Sequence, residues 1–188
     1  MTEREKMLAG DLYRAGEPEL AEARKRAKEL CQKFNRAAVE DPERGVGLLR
    51  ELLGGMGEEI SIQPMFWCDY GFNIQMGSHV EINHNCVILD CAQVTFGNHV
   101  FVGPNCGFYT AGHPLDAPTR NAGLEFARPI TVGDNVWFGG SVTVLPGVTI
   151  GSGSVIGAGS VVSRDIPPNA VAVGNPCRAV RAILPEEP

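Results

Sequence analysis

The chain has 188 residues, 44% of them hydrophobic, and a net charge of −6, enough for one domain with an appended segment. An acidic balance argues against general nucleic-acid binding. No apolar stretch approaches the roughly 20 residues that span a bilayer, and no charged-then-apolar signal opens at Met1, so no membrane partner is expected and the expected location is cytoplasmic.

The charge is unevenly spread. Residues 1–55 carry eleven Lys/Arg and eleven Asp/Glu, whereas residues 56–188 carry five Arg, no Lys and eleven acids. The first stretch reads as helical. Thr2 and Glu5 have the spacing of a capping box. Pro18 suits the first turn of a helix, and after it Leu20, Ala23, Ala27, Leu30 and Phe34 step by three and four to form one apolar stripe. The basic residues from Arg24 to Lys28 read as a solvated face of that helix. Asp41-Pro42 opens a further helix carrying Leu48, Leu49, Leu52 and Leu53, ended by Gly54-Gly55. Residues 1–57 are therefore expected to form a helical segment covering an end or side of the larger C-terminal part.

That larger part counts in sixes. Ile74–Ile88 and Val94–Phe108 each hold three hexads, and from Ile130 the chain runs ITVGDN, VWFGGS, VTVLPG, VTIGSG, SVIGAG, SVVSRD. The third place is always apolar in that last run, from Val132 to Val162, and Gly133, Gly139, Gly151 and Gly157 fill fourth places. Neither a helix nor a flat strand repeats at six, whereas a parallel β-helix does, with a short strand and then a corner where Gly accepts positive φ. Residues 58–184 are thus expected to form an all-β solenoid. The first two runs are out of step by two residues, which predicts a widened corner at Asp90–Gln93. The count breaks at residues 109–129, and so long a break predicts a loop leaving the coil, where function concentrates.

That loop contains His113, held between Gly112 and Pro114. Gly112 allows close backbone approach and Pro114 biases the His113 backbone toward an extended form, and an ordinary imidazole so held is suited to take a proton from a hydroxyl. His79 and His99 fall at sixth places of hexads and His84 beside Asn83 and Asn85, where surface or structural roles are the simpler reading. The six cysteines show no CxxC pair, so they read as reduced thiols and not as a zinc site, with Cys86 and Cys106 at apolar first places.

The loop GHP, followed by PITVGDNVWFGG and VLPGVTIGSGSVIGAGSVVSRDIPPNAVAVGNPCR, resembles the hexapeptide-repeat sugar O-acetyltransferases. The head, EKMLAGDLYRAGEPEL through CQKFN, is similar to the N-terminal segment of maltose O-acetyltransferases, as is Cys68-Asp-Tyr-Gly71. The resemblance spans residues 4–184. It implies a left-handed parallel β-helix, a homotrimer with active sites between subunits, acetyl-CoA as donor, a sugar hydroxyl of maltose or glucose type as acceptor, and no metal.

Residue by residue, His113 matches the general base and Asn83 an acceptor-contacting Asn that stabilises the transition state. The alternative for Asn83 is a corner residue accepting positive φ. Gly140 falls where a backbone N–H meets the thioester oxygen, without the hydroxyl that a Ser there would add. Ala158, Ser163 and Arg164 match the coenzyme groove, Arg178 and Arg181 match basic positions nearby, and Trp137 covers the coil beside it. Tyr13, Asp69 and Glu125 are acceptor-side candidates. Ala15 and Cys91 stand where galactoside enzymes tend to carry Asp, which points away from a galactoside acceptor. Hexad solenoids also include γ-class carbonic anhydrases, for which His79 and His84 would be zinc ligands, and non-catalytic subunits.

Overall fold

The computed structural model describes residues 1–184. Helix α1 (Glu3–Ala9) starts from the expected capping box, in which Thr2 Oγ1 accepts from Glu5 N (3.1 Å) and Glu5 Oε2 from Thr2 N (2.7 Å). Helix α2 (Pro18–Glu40) and helix α3 (Pro42–Leu52) both open on proline, and Asp41 caps α3 through Arg44 N. Leu20, Ala27, Leu30 and Phe34 are buried, as the stripe requires.

The rest winds as a parallel β-solenoid with three faces. The first stacks Gly55–Met56, Ile74–Met76, Val94–Phe96, Ile130–Val132 and Thr149–Ile150. The second stacks Ser61–Ile62, Glu81–Ile82, Phe101–Val102, Trp137–Phe138, Val155–Ile156 and Ala170–Val173, with Arg178–Ala182 added antiparallel at its edge. The third stacks Trp67–Cys68, Val87–Leu89, Gly107–Tyr109, Thr143–Val144 and Val161–Val162. Val87 pairs with Trp67 and Gly107 with Val87, so a coil here takes 20 residues, whereas Thr149 pairs with Thr131 and a coil takes 18. The two extra residues lie in the third corner, the passage from third face to first, where the widened turn was expected.

Third places of the hexads point inward. Phe96, Phe108 and Phe138 stack edge-to-face at 5.0 and 5.3 Å, and each buries a side chain worth about 1.5–3 kcal/mol. The helices join the same core, since Phe34 packs edge-on to Phe66 and Asn35 grips the Phe66 backbone through both amide atoms (2.7 and 3.0 Å). The open end of the coil is thus covered rather than left as a bare sheet edge. All six cysteines are buried free thiols. Among the described residues no helix is long and apolar enough to cross a membrane.

One expectation needs correction. The fourth-place glycines do not supply the positive φ. That falls at sixth places, on His79, Asn85, His99, Asn105, Asn135, Ser141, Gly147, Gly153 and Gly159. A fourth-place Cβ would instead strike the next coil, 2.7 Å from Ser152 N at Gly133 and 2.6 Å from Ala158 N at Gly139. Close stacking, not a left-handed backbone, selects glycine there.

Candidate active site

The interruption is anchored in the third corner. Asp90, fully buried, accepts N–H groups of Asp69 (3.1 Å), Tyr70 (2.8 Å) and Asn73 (3.3 Å). Burial raises its carboxyl to about 6 against the pull of these donors. One coil on, buried Thr110 donates to Leu89 O (2.6 Å) and accepts from Ala92 N (2.9 Å), and Arg128 N returns to Thr110 O (2.9 Å). The loop therefore leaves and rejoins the coil at one fixed point.

Within the loop, Leu124–Ala127 pairs antiparallel with Ala111–Gly112 on one side and with Tyr13–Arg14 of the head on the other. Gly112 has no room for a side chain, because a Cβ would lie 2.5 Å from the Phe126 ring. The registers Tyr13↔Glu125 and Gly112↔Phe126 bring His113, the next residue, level with Glu125. His113 is exposed and makes no hydrogen bond among the described residues.

The three acceptor-side candidates gather beside this strand. Tyr13 is fully buried and donates to Glu125 Oε2 (3.1 Å), so its hydroxyl can bear on an acceptor only by steering that carboxylate. Burial, then Cys91, raises the Tyr13 hydroxyl, which stays a donor. Asp69 accepts from Cys91 Sγ (3.5 Å), and burial raises its carboxyl against the Cys91 bond and the Arg24 charge. Arg24 was expected on a solvated face. Instead it is half-buried and donates to the Tyr70 hydroxyl and to Ala15 O, both at 2.6 Å. Its spacing, four after Leu20 and three before Ala27, already placed it on the flank of the apolar stripe.

A second group lies on the second face and its far corner. Asn83 and Trp137 line a groove of about 350 Å³ with Glu81, His84, Phe101 and Gly103. The positive φ of this corner belongs to Asn85 (61°), so the corner reading does not account for Asn83. Asn83 Oδ1 accepts from His84 N (2.8 Å), and its Nδ2 has no partner among the described residues. Gly140 is half-buried, and its N–H likewise meets no acceptor there. Ala158 sits exposed on the coil stacked against Gly139. Arg181 pairs with Val171 in the column that continues from Trp137 through Val155, and Arg178 pairs with Val173. Ser163 and Arg164 are also exposed but come after the third face, on another edge. The candidates of one chain thus fall on two edges of the prism.

The other histidines are engaged elsewhere. His79 Nδ1 lies 3.0 Å from Glu59 Oε2 and its ring stacks on His99 at 4.4 Å, while His84 Nδ1 faces Pro64 O. Among the described residues no group of three His, Cys, Asp or Glu is placed to hold a metal ion.

The family model for the maltose acetyltransferase hexapeptide capping motif matches residues 6–57, and that for the bacterial transferase hexapeptide (six repeats) matches residues 129–164. Nodulation protein L of Rhizobium meliloti (strain 1021) is 49% identical over 177 residues, 94% of this chain and 97% of its own. The chain belongs to the hexapeptide-repeat acetyltransferase family. This acetyltransferase superposes on the crystal structure of a maltose O-acetyltransferase from Clostridium difficile 630 with a TM-score of 0.96, at 46% identity and 98% coverage of each chain. It superposes on a hexapeptide-repeat acetyltransferase from Vibrio cholerae O1 biovar eltor, complexed with acetyl coenzyme A, with a TM-score of 0.90 at 41% identity, covering 98% of this acetyltransferase and 100% of that chain. The likeness drawn from the loop, the hexads and the head holds.

Proposed function

We propose that this acetyltransferase moves an acetyl group from acetyl-CoA directly to a hydroxyl of a maltose- or glucose-type sugar. The observation that carries this reading is the setting of His113: an unengaged imidazole at the end of a fixed strand, level with Glu125. His113 takes the hydroxyl proton as the oxygen attacks the thioester carbonyl. Gly140 N–H donates to the carbonyl oxygen as it gains charge, a role its free amide suits. The imidazolium then returns the proton to the departing thiolate, and no acyl-enzyme forms. Asn83 offers Nδ2 to the acceptor or the transition state, while Glu125, steered by Tyr13, and Asp69 accept from sugar hydroxyls. The bare backbone at Gly140 and Ala158 leaves room for the pantetheine arm. Arg178 and Arg181, together with Ser163 and Arg164, would meet the phosphates and nucleotide.

Since His113 and Asn83 stand on different edges of one chain, a site that unites them takes two copies, as in the homotrimer that the family resemblance implies. The exposed Phe101 and Trp137, at 45% and 55%, lie on the face such a neighbour would cover. The test monitors free thiol release from acetyl-CoA with maltose, glucose and a galactoside. Release should need a sugar, favour the gluco series, and fall about 10²- to 10⁴-fold in His113→Ala with the fold intact. A near-normal rate in that variant rejects His113 as base.

A further inference from the structure

The loop that presents His113 is held unequally on its two limbs. The returning limb is tied down by the sheet pairing of Leu124–Ala127 and by Arg14 Nη1, which donates to Ala122 O (2.8 Å). The outgoing limb leaves the ladder at Gly112, and His113, Pro114 and Leu115 have no strand partner. Leu115 is 96% exposed, so its side chain adds no packing to that limb, and of residues 113–116 only Pro114 is half-buried. What does hold it is one guanidinium. Arg120 Nη1 donates to Pro114 O (3.0 Å) and to Leu115 O (3.1 Å), the two carbonyls that directly succeed His113. Arg120 is itself set by the short helix Ala117–Asn121, whose start Asp116 fixes by accepting from Thr119 N (2.9 Å) and Thr119 Oγ1 (2.6 Å).

We infer that Arg120 is a positioning residue for His113, a clasp that ties the outgoing limb to the short helix at the loop tip and fixes where the imidazole points. The inference rests on the reading of His113 as the base. Two carbonyls on one charged donor make charge-assisted bonds, stronger than neutral ones, and Pro114 limits the freedom the clasp must remove. A base needs its proton acceptor placed to within an ångström, and a misplacement of that size costs on the order of 10²-fold in rate.

The test compares Arg120→Ala and Arg120→Lys with the parent by turnover of acetyl-CoA and maltose, by melting temperature, and by the imidazole proton resonances of the four histidines. Arg120→Ala should lower kcat about 10- to 100-fold while leaving KM for acetyl-CoA and the melting temperature near parental values. Arg120→Lys, which keeps a charged donor, should recover a large part of kcat. Only the His113 resonance should move in Arg120→Ala, with those of His79, His84 and His99 unchanged. Parental kcat with an unmoved His113 line overturns the inference, as does an equal shift of all four lines, which would mark a general loss of structure. A moved His113 line with parental rates in both Arg120→Ala and His113→Ala would leave the clasp standing and reject the base assignment instead.

Discussion

Asp90 joins a backbone knot to a titration. It is fully buried, three N–H groups point at it, and burial still lifts its carboxyl to about 6 from an ordinary 3.8. A carboxyl raised by folding stabilises the native state fully below its unfolded pKa, and that contribution is lost as pH rises through about 6. Asp90→Asn removes the titration and keeps one acceptor. The stability gap between parent and variant, measured by urea unfolding, should therefore narrow by about 2 kcal/mol between pH 4 and pH 7. A gap that stays constant or widens contradicts the assignment. The same scale shows what the sequence could and could not convey about single residues. Asn83 carried two readings in the sequence, and the backbone removes the corner one alone, by giving the positive φ to Asn85. Arg24 hid in a run of four cations, Arg24, Lys25, Arg26 and Lys28, because charge alone does not say which way a helix face turns.

Elements were the most legible level, because a hexad rhythm is a local signal repeated many times. The inward third places, the corner widened at Asp90–Gln93 and the loop at residues 109–129 all come from counting. The reason for the fourth-place glycine did not, since it depends on a neighbour one coil away in space and 19 residues away in sequence, Ser152 for Gly133 and Ala158 for Gly139. Gly133→Ala tests this away from the candidate site. Its Cβ would stand 2.7 Å from Ser152 N, and such overpacking should cost about 1–3 kcal/mol in thermal unfolding. Asn135→Gly, at the sixth place of the same hexad where φ is 56°, should change stability by no more than about 0.5 kcal/mol, because glycine accepts that backbone freely. If the two variants exchange behaviour, the assignment of roles to the two places is wrong. Least legible was the sheet that joins head to loop. Tyr13 and Glu125 lie 112 residues apart, and nothing local to either two-to-four-residue strand announces its partner.

At the scale of the whole molecule, the separation of His113 from Asn83 becomes a prediction about assembly. The loop springs from the third corner, whereas Asn83, Gly140 and Ala158 come after the second face, and the intervening core is filled by Phe96, Phe108 and Phe138. No motion of a side chain carries one group to the other through that core. Two defective chains should therefore repair each other. In a trimer whose sites each take His113 from one copy and Asn83 from the next, a His113→Ala subunit still offers Asn83, and an Asn83→Ala subunit still offers His113. Every mixed trimer holds one intact pair. Random assembly from equal amounts should restore about a quarter of the parental activity, and the mixed trimers alone about a third, although each variant by itself is nearly inactive. The measurement is thiol release after the two variants are co-expressed under separate tags and the doubly tagged species is isolated. Activity no greater than the sum of the separate variants would mean that each chain completes its own site, and the intersubunit cleft would have to be abandoned.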